Sequence, residues 1–195
     1  MILIVLLVVI GAIVVYLITT YNFFVSSKAR IRAAVQEIGN QLKRQSDMIP
    51  NLESSAKGYL KHEKTIFKQL TDARKAVASA VKSGDVQKMA DAGSQMASVL
   101  PSLNIAVEDN PELKGDKVVT KLMEELRDTS DKIMYARRLV IDLTVDFNVK
   151  RVRFPSSVVA SLFKFGELPG LITPEKGEHV EVSADDTKTP KVDLE

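Results

Sequence analysis

No charged side chain occurs in the first 27 residues of this 195-residue chain, and Ile2 to Ile18 form one apolar run varied only by Gly11 and Tyr16. As a helix rising about 1.5 Å per residue, that run covers about 26 Å. Continued through Thr19, Thr20 and Tyr21 to Val25 it reaches about 36 Å, enough for a hydrocarbon core of about 30 Å. Residues 1–25 therefore read as a transmembrane anchor. A cleaved signal peptide would have a basic n-region, a shorter apolar stretch and a small-residue cleavage site. Here Met1 leads straight into the run, and Ser26-Ser27-Lys28-Ala29 is a poor site. A core helix of a soluble bundle would show a polar face, and this segment shows none for five turns. Lys28, Arg30 and Arg32 form a juxtamembrane basic group, with nothing basic before the run except the terminal amine. The excess of positive charge on that side places the N-terminus outside and the rest of the chain in the cytoplasm.

About 168 residues follow the anchor, room for one domain. The absence of Cys removes disulfides, lipidation at Cys, thiolate chemistry and Cys-ligated zinc or iron–sulfur sites. A net charge of +2 conceals an uneven spread. Lys28 to Lys82 holds 12 Lys/Arg against 5 Asp/Glu, Gly84 to Phe165 holds 12 against 12, and Gly166 to Glu195 holds 3 against 8. The basic part adjoins the anchor, as attraction to anionic lipid headgroups requires. Basic residues interleaved with aromatics, or a recognisable nucleic-acid motif, are missing, so no nucleic-acid partner is expected.

Beyond the anchor the apolar residues keep 3/4 spacing, the mark of helices with one buried stripe. One series runs Val35, Ile38, Leu42, Ile49, Leu52, Ala56, Tyr59, Ile66, Leu70, Ala73, Val77, Ala80; a second runs Val86, Met89, Gly93, Met96, Leu100, Leu103, Val107. The third runs Val119, Leu122, Leu126, Thr129, Ile133, Ala136, Val140, Leu143, Phe147, Phe154. Ser83-Gly84-Asp85 reads as a helix stop and a new N-cap, and Glu108 to Asp116 as a loop. Pro50 admits two readings: a break with Asp47 as cap, or a kinked continuous helix, since the apolar phase crosses it without a slip. The break is favoured because it yields four comparable helices, roughly 28–47, 50–82, 86–107 and 117–153. The expected fold class is all-α: one transmembrane helix followed by an antiparallel up-and-down four-helix bundle over residues 26–165. Phe154 to Phe165 returns to the membrane side, either as an interfacial foot or as a cap on the open end of the core. Residues 166–195, rich in Pro, Gly and acid, read as a disordered tail.

Chemistry-bearing residues are sparse. His62 lies beside Glu63 without a second His at zincin spacing, and His179 falls in the tail. A bundle di-iron site needs Glu-x-x-His pairs, and residue 59 is Tyr. Glu124, Glu125, Asp128 and Asp131 lie mostly off the apolar stripe and read as a solvated face. No catalytic residue, metal site or cofactor is expected, and the chain is not read as an enzyme.

A different set of strings stands out: Tyr21-Asn22, Gln41-Leu42-Lys43-Arg44, Asp47-Met48-Ile49-Pro50-Asn51-Leu52, Lys57-Gly58-Tyr59, His62-Glu63, Tyr135-Ala136-Arg137-Arg138, Phe147-Asn148 and Phe154-Pro155. In this order and spacing they resemble the LemA family of small bacterial membrane proteins, over about residues 1 to 165. The resemblance implies a single-span anchor, N-terminus out, carrying a four-helix bundle, and it implies no established reaction. The family's branch in magnetotactic bacteria includes a magnetosome-membrane protein needed to form that organelle. Lys28-Ala29, Gln45-Ser46 and Val140-Ile141 stand where the family tends to Arg-Asn, Arg-Tyr and Tyr-Asn. Those departures put the family's polar surface features in doubt for this chain and leave the core pattern intact.

The family strings have a plain structural account: Gly58 for close approach, Asp47 and Pro50 for a turn, Tyr135, Arg137 and Arg138 flanking the stripe. Alternatively Lys43, Arg44, Lys57, Tyr135, Arg137 and Arg138 form a surface for a protein partner or a lipid headgroup. The expected function is a membrane-anchored scaffold or adaptor with unidentified protein partners, and the anchor itself contacts lipid. A general envelope role and a magnetosome role both fit. The runner-up is an anionic-lipid-binding or membrane-shaping module.

Overall fold

The computed structural model describes residues 1–56 and 64–172. Its elements are α1 (Ile2–Ala56), α2 (Lys64–Ser83), α3 (Val86–Glu108), α4 (Pro111–Gly115), α5 (Lys117–Val152) and α6 (Ser156–Leu162). Among the described residues there is no strand, so the all-helical expectation holds. At 55 residues α1 is about 80 Å long. Its first part is long and apolar enough to cross a membrane and is bare of protein neighbours on almost every side.

No linker separates anchor from domain. The buried stripe of α1 begins inside the apolar run: Leu17 and Ile31 are half-buried, while Thr20, Phe24, Ser27, Ala34, Ile38, Leu42, Gln45, Ile49, Leu52 and Ala56 are buried. These positions recur at 3/4 spacing, so one helical face is kept from the apolar run to the far end of the domain.

Pro50 lies inside α1, and the expected break there does not occur. Met48, Ile49, Leu52 and Ala56 are all buried on the same side. Their burial offsets the one backbone hydrogen bond a proline removes. Asp47 is thus an exposed mid-helix residue and not a cap. The change of element falls between Ala56 and Lys64, so Lys57, Gly58, Tyr59, His62 and Glu63 lie outside the described residues.

The other boundaries form as their residues dictate. Gly84 takes φ +68°, which glycine adopts without a side-chain clash, and the Asp85 carboxylate accepts from the Lys88 N–H at 3.0 Å to cap α3. Asp116 caps α5 by accepting from Val118 and Val119. The expected loop at 108–116 contains the short α4, capped by Asn110, with Leu113 buried beneath it.

α1 packs along α5 and also contacts α2, α3 and α6; α2 packs on α3, and α4 lies against α3 and α5. Phe24 meets Phe147, whereas Gln45, further along α1, reaches Leu126 and Ser130, so α1 and α5 run in opposite directions along their contact. The larger core, far from the anchor, includes Ile38, Leu42, Ile49, Leu52, Leu70, Met96, Leu103, Leu126 and Ile133. Gly93 brings α3 close: a Cβ there would stand 3.3 Å from Ile133 Cγ2 and 3.5 Å from Leu42 Cδ2. A second, smaller core surrounds Phe24, Phe147 and Ala160. Phe154 was placed on the buried stripe of the third series but is 79% exposed, because the chain turns out of α5 just before it.

Residues 166–172, expected to begin a disordered tail, lie along the domain instead. The Asn148 amide donates to the Leu168 carbonyl at 2.8 Å and accepts from the Leu168 N–H at 3.0 Å. Arg151 pairs with Glu167 at 2.8 Å, and Gln87 exchanges two hydrogen bonds with the Ile172 backbone. Specific side-chain partners hold what composition reads as tail. The remainder, 173–195, with His179, lies outside the described residues.

Candidate membrane interface

Where α1 changes from apolar all round to apolar on one stripe, aromatic side chains gather from three elements. Phe24 stacks on Phe165 at 4.8 Å and meets Phe147 edge-on at 5.2 Å; Tyr21 lies 4.7 Å from Phe163 and 5.7 Å from Phe165. Cations sit on these rings: Lys28 Nζ is 5.3 Å from the Phe165 ring centre and 5.9 Å from that of Phe147, and Lys150 Nζ is 3.8 Å from that of Phe23. Such contacts stabilise by about 0.5–1 kcal/mol when exposed and by more when desolvated. Aromatic rings beside Lys and Arg are the side chains favoured at a membrane–water boundary.

Below this layer the chain makes a dip. α5 ends at Val152, the chain turns through Arg153, Phe154 and Pro155, and α6 climbs back to Phe163. The Ser156 hydroxyl lies 2.7 Å from the Lys150 carbonyl and 2.8 Å from that of Arg153. The N–H groups of Arg153, Ser157 and Val158 donate to Val149, Arg153 and Pro155. Pro155 contributes no N–H. The turn thus satisfies much of its backbone internally, the condition for a backbone to enter hydrocarbon. Ser156, Val159 and Ala160 face the protein, while Phe154, Val158, Leu162 and Phe163 are exposed. The two readings of residues 154–165 merge here: one face caps the smaller core, and the other is bare and apolar.

Between α6 and α1 lies a cleft of about 510 Å³ lined by Val9, Ala12, Ile13, Tyr16, Leu17, Phe154, Pro155, Val158 and Val159. Through Tyr16, Phe154 and Pro155 it adjoins a hollow of about 380 Å³ with a mixed polar and apolar lining. Phe23, Asp146, Val149, Lys150, Arg153 and Ser156 complete that hollow. Sequence reasoning missed Lys150 and Arg153, which the alternation of helix and turn brings beside Tyr16 and Phe23 of α1. Their signal was a basic cluster, Lys150-Arg151-Val152-Arg153, next to an apolar segment.

The residues singled out from sequence go to several places. Lys28 covers the aromatic core, while Arg30 and Arg32 are exposed on α1. Lys43 is exposed; Arg44 reaches across to α5 and pairs with Glu125 at 3.4 Å. Arg137 donates to Ser94 of α3 at 2.8 Å, Arg138 lies 3.8 Å from Asp142 of its own helix, and Tyr135 is 71% exposed. No described hydrogen bond or ion pair joins any two of these residues, and Lys57 is outside the described set. Glu124, Asp128 and Asp131 are exposed, and Asp128 pairs with Lys132 at 2.6 Å. Among the described residues no group of His, Asp and Glu is arranged to hold a metal ion. A cavity of about 590 Å³ lies between α1 and α2 and is bounded by Glu53, Ser54, Phe67, Lys68, Thr71, Asp72 and Lys75.

The expected effect of one family departure is corrected: Gln45 and Ser46 are buried, so that substitution lies in a helix contact and not among polar surface features, whereas Val140 is buried as its place on the apolar stripe implies. Gln45, 1% exposed, donates from Nε2 to Ser130 Oγ at 2.7 Å and to the Leu126 carbonyl at 3.3 Å.

These features define a class: a helical protein whose N-terminal helix is apolar enough to anchor it and continues unbroken into its packed domain. The chain belongs to the LemA family, whose model matches residues 34–185. The match starts beyond the anchor and extends past Phe165, the expected limit of the resemblance, across the strap that Asn148 and Gln87 hold. A search of curated proteins finds no match.

Proposed function

We propose that this protein is a non-enzymatic, membrane-anchored scaffold or adaptor. It presents an antiparallel up-and-down four-helix bundle, formed by the distal part of α1 with α2, α3 and α5, at the cytoplasmic face of a bacterial membrane. The observation that carries this reading is the unbroken α1: its buried stripe starts at Leu17 within the apolar run and continues to Ala56. A bundle built on the anchor's own helix is held at a set height and tilt, which suits organising neighbours better than roaming on a linker. The N-terminus is outside, in keeping with the basic residues that follow the anchor. Partners engage the exposed bundle surface, on which Lys43, Tyr135 and Arg138 are exposed, Arg44 about half so, and Arg137 less. A role in forming the magnetosome membrane is one specific version of this function.

The test is crosslinking in cells with the full chain. A defined set of membrane proteins should be recovered, and it should shrink when Lys43, Tyr135 and Arg138 are replaced by Ala together. Recovery of the same proteins by the anchor segment alone would overturn the reading. Because the chain has no Cys, a Cys placed at Lys68 is the sole thiol. It should be shielded from a membrane-impermeant maleimide in intact cells.

A second reading, an anionic-lipid-binding module, is favoured by one observation, the bare apolar face of α6 beside the anchor.

A further inference from the structure

We infer that the cleft between α1 and α6 is a binding site for one anionic phospholipid, with an acyl chain along Val9–Leu17 and the phosphate held by Lys150 and Arg153. The inference rests on the second reading, that α6 enters the bilayer, and gives it a specific ligand and residues.

Depth is the first argument. The exposed apolar surface of α1 persists to Tyr21 and Val25. Leu17 lies four residues short of Tyr21 and Val9 twelve, so the cleft lies about 6 to 18 Å below the level of Tyr21. At that depth the solvent is hydrocarbon, and an apolar cleft between two helices is filled by a lipid chain or stays empty. An empty cleft forfeits dispersion contacts along its lining.

Charge is the second. The hollow that joins the cleft at Tyr16, Phe154 and Pro155 contains two cations, Lys150 and Arg153, and one carboxylate, Asp146. Neither cation forms an ion pair among the described residues. Lys150 is held over the Phe23 ring at 3.8 Å, which fixes its ammonium at the aromatic layer. Arg153 stands at the lip of the dip, where its side chain can snorkel toward headgroups. A guanidinium and an ammonium beside one hollow suit a phosphate diester, which accepts from both.

Continuity is the third. Apolar and cationic halves meet at the same three residues, so a ligand filling both must be amphipathic, with its anionic part next to its chain. A phospholipid has that form.

The experiment uses the full-length protein released from membranes into mild detergent, with native mass spectrometry after incubation with palmitoyl-oleoyl phosphatidylglycerol or phosphatidylcholine. One phosphatidylglycerol per chain is expected to survive detergent washing, retained about tenfold over phosphatidylcholine. K150Q with R153Q should bring that preference to within about twofold, and K68Q, on α2, should leave it unchanged. Ala12→Phe fills the cleft from an exposed anchor position and should abolish retention of both lipids, while circular dichroism stays as in the parent. An unchanged preference in the double variant, or unchanged retention in Ala12→Phe, would overturn the site. Displacement by soluble glycerol 3-phosphate at equal concentration would overturn the lipid as occupant. The crosslinked protein set reports on the scaffold reading separately, since Ala12 lies outside the bundle.

Discussion

The two cores of this molecule are built from different materials. Away from the membrane segment, α1, α2, α3, α4 and α5 meet through Leu, Ile, Val, Met and Ala, with Phe67 half-buried at the margin. Near it, the contact of α1, α5 and α6 is made by Phe24, Phe147 and Phe165, with Tyr21, Phe23 and Phe163 around them. Small and aliphatic residues let helices approach closely, as the missing Cβ of Gly93 does against Ile133 and Leu42. Aromatic rings instead fill the wider space where a helix end, a turn and a short helix converge, and they tolerate both lipid and Lys at their edges. The aliphatic core holds the helical domain together, and the aromatic one joins it to the apolar N-terminal part of α1.

Breaking the aromatic core tests that division most severely. Phe147→Ala should destabilise the protein by about 3–5 kcal/mol, the usual cost of deleting a buried ring, read by thermal unfolding in detergent. A loss below about 1 kcal/mol would show that the lower core is not part of the cooperative fold. In the aliphatic core Gly93→Leu should cost about 1–3 kcal/mol by overpacking against Ile133 and Leu42. The crosslinked partner set should weaken with it if the bundle surface distorts.

Smaller effects sharpen the comparison. Asn148→Ala removes both hydrogen bonds to Leu168 and should cost about 1–2 kcal/mol, with faster chymotryptic cleavage after Phe165 as the direct readout. Unaltered cleavage would mean the strap is held by its other contacts. A double-mutant cycle on Arg44 and Glu125, 3.4 Å apart with side chains 48% and 34% exposed, should give a coupling of about 0–1 kcal/mol. A larger value would place that pair among the determinants of the α1–α5 contact.

Much of this was legible in the sequence, for identifiable reasons. The positions buried in α2 match the 3/4 series, whereas in α3 the series misses Ala90, Ala92 and Val99, which are buried beside it, and includes Val86 and Leu100, which are only half-buried. The Gly84-Asp85 boundary followed from capping chemistry. Pro50 misled because its local cost is visible in sequence, whereas the burial of Leu52 and Ala56 that offsets it depends on the packed neighbours. Gln45 lies three residues after Leu42 and four before Ile49, so its phase marked it as buried; its amide character hid that. The strap at 166–172 was hidden for a different reason. Composition reports the mean apolar content of a segment, and Asn148, twenty residues before Leu168, supplies the order.

Periodicity and charge, which are local properties of a chain, were enough to establish an apolar N-terminal helix long enough to span a membrane, a helical domain and the stretch where one gives way to the other. The meeting of α6 with the anchor, the basic hollow above it and the docking of the strap arise from contacts between residues far apart in sequence. Apolar pattern specifies which face of a helix is buried, but it does not say which partner buries it. Only close packing among the six described helices chooses the partner, and that choice sets Lys150 and Arg153 beside an apolar cleft.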